Sequence, residues 1–414
     1  MTVVVHPIKR ALLSNGGTGA RNYDEFADDA EITEIIAANP DSALAIEMPH
    51  RAPDSLGRTF TAALPDAVAR LDRARAAGRY TTVDDALVLY RITDPNRPDA
   101  AAYGLFAMVD TDQISTSADE PGRVIRNEDV FIEKVRERVA LAEATKHLLS
   151  PVLLLQTGRT SSSAAAGEAP ADTALHERLR ALADSLGAPH VTDIDHVGRE
   201  HAIWPIRADD PAAAGLADLA GRGELVVADG NHRSLAAQIG GLRRFLAVIT
   251  TPASVTIQPY HRLVTHTPVP MPALLDRLQA AGATASRATV GIPEQGTVLL
   301  YAGGQAWAVR LPVPAEGGVV DRMDHTVVER LVLGDVLGLE PGDKRIVYVG
   351  GDYPPEWLAS EVDAGRAELA ILIAPVTVDQ FVAVNLARQK MPRKSTWFTP
   401  KARAGLVLAD LTAE

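Results

Sequence analysis

Short apolar runs alternate along the chain with stretches of helical periodicity, and this pattern predicts a protein that mixes strands and helices. The apolar runs predict strands at residues 44–48, 86–92, 103–109, 152–155, 202–206, 225–228 and 245–249. Apolar positions at helical spacing predict helices at residues 31–38, 59–77, 129–147, 176–186 and 326–337. Pro205 places the strand at 202–206 at a sheet edge. The expected fold class is α/β, with mixed α+β character.

Breaks in this pattern suggest three regions. Residues 158–172, rich in Ser, Ala and Gly, follow the first region as a loop. We expect an N-terminal α/β region at 1–155, a core at 156–265 and a C-terminal α/β lobe at 266–414. In the last region, Gly303-Gly304 predicts the turn of a hairpin.

The segment 224–238 carries the strongest chemical signal, because an apolar strand runs through a turn directly into a helix. The free N–H groups and the positive dipole end of such a helix favour anions. Gly230 lets a ligand approach the backbone, and His232 and Arg233 in the first turn suit a phosphate. Asp229 suits a Mg²⁺ ion or a substrate hydroxyl. The alternative is an ordinary capped helix with Arg233 as a surface charge.

Two further candidates belong to the predicted helix at 129–147. Glu128 lies at its N-terminus, where a carboxylate suits the role of general base for a hydroxyl. The alternative role of Glu128 is a helix cap. Arg138 is a candidate phosphate ligand if it turns inward, and the alternative is a solvated charged face.

The C-terminal run 391–401 contains a candidate anion site. Lys394, Ser395, Thr396 and Lys401 place two cations among small hydroxyl side chains. No glycine-rich run precedes them, so the segment is not a Walker A loop.

Histidines supply weaker candidates. His261 and Arg262 follow Pro259-Tyr260 at a strand end, where a lone histidine is more often structural than catalytic. His201 is close in sequence to His190 and His196, but the spacing fits no standard zinc pattern.

The chain has 414 residues, a formal net charge of −12 at pH 7, a pI near 5.4 and no cysteine. The acidic balance disfavours nucleic acid as a partner. The lack of cysteine excludes disulfides, thiolate catalysis and Cys-ligated zinc. We see neither a signal-peptide pattern nor an apolar stretch approaching about 18 residues. The expectation is a cytoplasmic protein without a membrane partner, with homo-oligomerisation left open.

Three segments together resemble a widespread bacterial and archaeal family known as domain of unknown function ten-fifteen. Its A-D-G-H-H-R turn is matched by 228–233, and its H-E segment by Asn127-Glu128. Its C-terminal M-P-x-K-S-T-x-F-x-P-K run is matched by Met391–Lys401 and is followed here by Gly405-Leu406-Val407. The resemblance extends over essentially the full length.

The D-G-H-H-R turn also resembles that of the free serine kinases, members of the ParB/sulfiredoxin-like group. The resemblance implies a nucleotide-binding core of that type, accompanied by an additional small α/β lobe. It also implies that Glu128 acts as base on a hydroxyl and that Asp229 assists catalysis or binds Mg²⁺. Gly230, His232 and Arg233 would then cradle phosphate.

The chain departs from this pattern at three positions. Asn127 stands where the family has histidine, Asn231 replaces the first histidine of the pair, and Ser234 replaces tyrosine. Asparagine does not become a cation, so the pocket loses two titratable groups. Asn231 nevertheless stays a candidate phosphate ligand. The departures leave open whether the phosphate acceptor is free serine or another hydroxyl compound.

These inferences predict a Mg²⁺-dependent phosphotransferase that moves phosphate from a nucleotide, ATP or ADP, to the hydroxyl of a small metabolite. A serine-like amino acid is the leading acceptor. Arg233, His232, Lys394 and the helix amides would neutralise phosphate charge, and Glu128 would take the hydroxyl proton. The alternative is a ParB-type protein that binds or hydrolyses nucleotide as a switch. A fold relic that scaffolds an enzyme complex is a third hypothesis.

Overall fold

The computed structural model describes residues 3–26, 28–115, 122–126, 130–158, 171–314 and 316–414. Its contacts divide the chain into two compact units, Met1–Val255 with Pro400–Glu414, and Thr256–Thr399. This division differs from the three expected regions, because strands on both sides of residue 155 share one sheet. The fold class is mixed α/β, as predicted.

The strands up to residue 250 all belong to the first unit. They are β1 (Val5–His6), β2 (Ile8–Ser14), β3 (Tyr80–Asp94), β4 (Arg97–Asp110), β5 (Val124–Ile125), β6 (His147–Leu148), β7 (Val152–Gln156), β8 (Val191–Ile194), β9 (Glu200–Arg207), β10 (Leu225–Asp229) and β11 (Arg244–Thr250). The remaining strands are β12 (Thr256–Gln258), β13 (Tyr260–Val264), β14 (Thr284–Ala288), β15 (Thr297–Ala302), β16 (Gln305–Arg310), β17 (Ile346–Gly350), β18 (Leu369–Ile373), β19 (Trp397–Thr399) and β20 (Val407–Asp410).

The helices are distributed over both units. They are α1 (Asp29–Ala38), α2 (Ala43–Glu47), α3 (Phe60–Ala76), α4 (Ile132–Thr145), α5 (Ala171–Ser185), α6 (Leu216–Ala220), α7 (Asn231–Ile239), α8 (Met271–Ala280), α9 (Asp324–Val327), α10 (Pro355–Asp363) and α11 (Val378–Leu386). A π-helix, Val328–Val336, continues α9, so the single helix predicted at 326–337 is divided. Within the described ranges, no helix is both long and apolar enough to cross a membrane.

The first unit is built on a mixed sheet to which twelve of the described strands belong. β11 lies between β4, to which it is antiparallel, and β7, to which it is parallel. β7 pairs antiparallel with β10, and β10 pairs parallel with β5. Leu154, Val227 and Ala247 are fully buried on these strands. Strands buried on both faces have continuous apolar sequences. This explains why β7, β10 and β11 were predicted close to their observed positions.

Two predicted features of this unit are wrong in part. Residues 44–48 were predicted as a strand, but Ala43–Glu47 is a helix whose residues are all buried. Burial on every side removes the periodicity that separates a helix from a strand. β9 was predicted at an edge, but it pairs with β3 and with β8. The pairing of β9 with β8 ends at Ile203 of β9, so at Pro205 β9 pairs with β3 alone. Proline is tolerated there because it has no N–H to donate to a second neighbouring strand.

The second unit contains a six-stranded sheet and the separate pair β12–β19. The predicted hairpin around Gly303-Gly304 is confirmed as β15 and β16. Arg262 on β13 is fully buried in this unit, and its Nε donates to Glu329 Oε1 at 2.9 Å. Its Nη1 donates to the carbonyl of Lys394 at 3.0 Å, and its guanidinium lies 4.5 Å from the Tyr348 ring centroid. Arg262 therefore ties the 393–394 backbone to the sheet.

Arg262→Ala should lower the free energy of unfolding of the second unit by about 3–5 kcal/mol, because it leaves Glu329 without its buried partner. Urea denaturation of the full chain, followed by tryptophan fluorescence, measures this change. The matched control is Arg366→Ala, since Arg366 is 61% exposed in its ion pair with Glu361 and a solvent-exposed pair should contribute little to stability. Equal losses in the two variants would contradict the structural role of Arg262.

Candidate functional site

The turn between β10 and α7 has the strand, glycine and helix that the sequence predicts. β10 ends at Asp229, and Gly230 is the N-cap residue of α7. Gly230 has a φ of 93°, a left-handed conformation that favours glycine. A Cβ at this position would also meet Nε of Arg233 at 2.9 Å, so Arg233 folds back over the glycine. As a glycine, the N-cap residue has no side chain to cap the first-turn amides of α7.

Asp229 forms two largely buried ion pairs. Its Oδ2 accepts a hydrogen bond from Nη2 of Arg233 at 2.5 Å, and its Oδ1 accepts one from Nζ of Lys401 at 2.6 Å. The three side chains are 15%, 8% and 13% exposed for Asp229, Arg233 and Lys401. Lys401 is 172 residues from Asp229 along the chain, so the fold brings together two candidate segments that are far apart in sequence.

Arg233 extends this cluster to the N-terminal region. Its Nη1 donates to Oδ1 of Asn22 at 2.9 Å and to the carbonyl of Pro151 at 2.6 Å. Nδ2 of Asn22 donates to Oε1 of Glu25 at 2.6 Å and to the carbonyl of Ala402 at 3.2 Å. The residues around Asn22, the turn and the segment near Lys401 therefore form one hydrogen-bonded network.

Glu25 is a titratable member of this network whose proton equilibrium lies near neutral pH. Burial raises the pKa of Glu25 to about 7, against the opposing effect of Lys401. Burial by itself would lower the pKa of Lys401. The carboxylates of Asp229 and Glu25 raise this pKa by more than burial lowers it, so Lys401 remains a cation. The cluster thus contains a fixed positive charge beside a carboxylate that exchanges its proton near neutrality.

His232 contacts the start of α4. Its Nε2 accepts a hydrogen bond from the backbone N–H of Phe131 at 3.1 Å, and the two rings stack with centroids 6.1 Å apart. These contacts connect the first turn of α7 to the start of α4. Residues 127–129, which include the predicted base Glu128, lie outside the described residues.

Arg138 on α4 is turned inward. It is 6% exposed, its Nη2 donates to the carbonyl of Glu47 at 3.1 Å, and its guanidinium lies 4.0 Å from the ring centroid of Tyr23 and 5.0 Å from that of Phe60. The solvated face considered as an alternative for Arg138 is therefore wrong.

The predicted anion residues of the C-terminal run lie in different units. Lys401 belongs to the first unit, whereas Lys394, Ser395 and Thr396 belong to the second. Lys394 has a φ of 57°, and its Nζ lies 5.5 Å from the ring centroid of Tyr260. Oγ of Ser395 donates to the carbonyl of Pro392 at 2.7 Å, so this hydroxyl stabilises its own loop.

The remaining histidine candidates are buried and bonded within the fold. Nδ1 of His261 accepts from the backbone N–H of Ile373 at 3.1 Å, and burial lowers the pKa of His261 to about 3. His201 lies between Tyr90, whose hydroxyl is 2.5 Å from Nδ1, and Asp195, whose Oδ2 is 3.2 Å from Nε2. These contacts suit structural roles for both histidines.

Asp229 is also the predicted Mg²⁺ ligand, and its surroundings do not fit a divalent cation. Both of its carboxylate oxygens accept hydrogen bonds from cationic side chains. Over the described part of the chain, no group of three or more His, Asp or Glu residues that could hold a metal ion is found. We therefore assign the positive charge at this turn to Lys401 and Arg233.

Asn22 and Glu25 are not among the site residues predicted from sequence, because they precede the first predicted helix and belong to no recognised motif. A signal was nevertheless available. The polar run Asn22-Tyr23-Asp24-Glu25 is separated from the glycine-rich stretch 14–19 by only two residues, and polar residues near such loops are frequent in binding sites.

Three solved structures illustrate what the chain is similar to. A conserved hypothetical protein from Pyrococcus furiosus is 12% identical, with a TM-score of 0.35, and the match covers 71% of this chain and 90% of that one. A free serine kinase in complex with AMP is 12% identical, with a TM-score of 0.37 and coverage of 71% and 87%. SbnI with a C-terminal truncation, from Staphylococcus aureus, is 12% identical, with a TM-score of 0.37 and coverage of 73% and 85%.

The comparison with curated proteins gives no match. The comparison with protein families does give one, and it extends over more than half of the chain. The family described as protein of unknown function (DUF1015) matches residues 18–331, and the chain belongs to this family.

Proposed function

We propose that the turn at Asp229, with Arg233, Lys401 and Glu25, is the phosphoryl-transfer site of an enzyme that moves phosphate from a nucleotide to the hydroxyl of a small metabolite. A serine-like amino acid is the first acceptor to test, and a nucleotide-binding core of ParB/sulfiredoxin type is part of the proposal. The observation that carries it is the convergence of two largely buried cations and a carboxylate of near-neutral pKa near a helix N-terminus.

Phosphoryl transfer requires positioning and charge neutralisation more than covalent chemistry. Arg233 and Lys401 are both held in place by Asp229, so their charges are fixed before a nucleotide arrives. The N-terminal amides of α7 add a positive dipole end on the same side of the turn. Asp229 is therefore a positioning residue for the two cations in this proposal.

Glu25 is the general base in this proposal. In the transfer step, the acceptor oxygen forms a bond to the terminal phosphorus while the bond from that phosphorus to the nucleotide's bridging oxygen breaks. The hydroxyl proton passes to the Glu25 carboxylate, and the electron pair of the broken bond stays on the nucleotide. A base with a pKa of about 7 suits this proton transfer at neutral pH. Glu128 remains the second candidate for the same role.

Glu25→Gln should reduce phosphate transfer by about 100-fold or more, because an amide does not accept the proton. Phosphorus NMR of the protein with Mg²⁺, ATP or ADP and L-serine detects the phosphomonoester product. Nucleotide affinity should be little changed, and Glu34→Gln, an exposed position on α1, is the matched control.

Transfer that survives in Glu25→Gln and disappears in Glu128→Gln would assign the base to Glu128. If the nucleotide is hydrolysed to free phosphate and no phosphomonoester forms, the kinase hypothesis is wrong and the hypothesis of a nucleotide-hydrolysing switch protein is favoured.

The pH dependence of transfer should follow the ionisation of Glu25. Because its pKa is raised to about 7 and the base must be ionised, the rate should increase as the pH rises through about 7. Lys401 lowers the pKa of Glu25, so Lys401→Gln should move this limb of the pH–rate profile to higher pH. Lys9→Gln, whose lysine is 51% exposed, is the control and should leave the profile unchanged. A limb that stays in place in Lys401→Gln would contradict the proposed electrostatic link.

A further inference from the structure

The segment 400–404 carries Lys401 and leads from the end of β19 towards β20. Its far end is paired with the start of the chain, since Ala404 and Ala20 exchange two backbone hydrogen bonds of 3.0 Å. A connecting segment is fixed by its contacts with the elements around it. The position of the Lys401 amine therefore depends on what holds the residues next to it.

Arg403, two residues after Lys401, connects this segment to two other parts of the first unit. Its Nε lies 2.6 Å from Oδ2 of Asp193 on β8, and both side chains of this ion pair are largely buried. Its Nη2 donates to the carbonyl of Gly19 at 2.8 Å. A Cβ on Gly19 would overlap Oδ2 of Asp193, so the glycine gives the ion pair its room. The side chain of Arg403 is thus held at both ends of its guanidinium.

A buried chain of hydrogen bonds holds the backbone of Arg403. Its N–H donates to the hydroxyl oxygen of Tyr90 at 3.3 Å, and that hydroxyl is 2.5 Å from Nδ1 of His201. Nε2 of His201 lies 3.2 Å from the Asp195 carboxylate, which only accepts hydrogen bonds, so Nε2 carries the ring proton. Burial lowers the pKa of His201, so the ring is neutral and Nδ1 accepts from Tyr90. The Tyr90 oxygen is thereby oriented to accept from Arg403.

We infer that Arg403 is a positioning residue that holds Lys401 beside Asp229. The ion pair with Asp193 and the hydrogen bond to Tyr90 fix both the side chain and the backbone of Arg403. Lys401, two residues away, is thereby kept 2.6 Å from Asp229, so its charge is in place before an anion arrives. The effect of this placement on phosphate binding rests on the proposed function, whereas the placement itself does not.

Reductive methylation of the nucleotide-free full chain, followed by peptide mass spectrometry, measures the accessibility of the Lys401 amine. Lys401 should react slowly in the native protein, because it is largely buried and protonated and the reaction requires a neutral amine. Arg403→Met should increase its rate of modification by about tenfold or more, while Lys9, which is 51% exposed, reacts as before. Arg244→Met, which removes another largely buried arginine–aspartate pair, is the matched control and should leave Lys401 protected.

A double-mutant cycle with ADP as the probe separates positioning from a general structural effect. By isothermal titration calorimetry, Arg403→Met should weaken ADP binding by about tenfold. In the Lys401→Gln background the same change should weaken it by less than about twofold, because Arg403 acts through Lys401. A residue that only stabilises the fold would weaken binding equally in both backgrounds, and that result would overturn the inference.

Unchanged protection of Lys401 in folded Arg403→Met would also overturn the inference. If Arg403→Met does not fold, Asp193→Asn decides the question, because it keeps the side-chain shape and removes the charge opposite Arg403. Reactive Lys401 in Asp193→Asn supports the inference, and protected Lys401 overturns it. Absence of ADP binding, or ADP binding unchanged in Lys401→Gln, would instead reject the proposed phosphate site, and the methylation result alone would then decide the role of Arg403.

Discussion

The site depends on one carboxylate, Asp229, held between Arg233 and Lys401 in a largely buried position. Buried charges are tolerated only when they are paired, and removal of one partner leaves the others uncompensated. The pairing therefore fixes the turn after β10 and the segment that follows residue 399 relative to each other. Asn22 extends the same network to Glu25, whose near-neutral pKa follows from its burial beside these charges.

The local part of this site could be predicted from sequence. The apolar run, Gly230 and the polar first turn are adjacent in the chain, so their joint geometry follows from backbone preferences. The partner of Asp229 could not be predicted, because Lys401 lies far away in sequence and was grouped with Lys394. The pKa of Glu25 could not be predicted either, because burial is the main cause of its shift and burial depends on the whole fold.

The same distinction holds for the fold. The core strands β7, β10 and β11 were predicted near their positions because continuous apolar runs are typical of strands buried on both faces. The helix α2 was mistaken for a strand because all of its residues are buried. The prediction of three regions failed to anticipate the shared sheet, since strand order is set by long-range pairing rather than by local composition.

The central claim is that a nucleotide's phosphates bind at the N-terminus of α7, beside Arg233 and Lys401. The most direct measurement is a crystal structure of the protein with ADP and Mg²⁺. The account predicts that the terminal phosphate lies within hydrogen-bonding distance of the first-turn amides of α7 and of Nζ of Lys401. Phosphate density elsewhere in the molecule, with Asp229 and its two cations undisturbed, would contradict it.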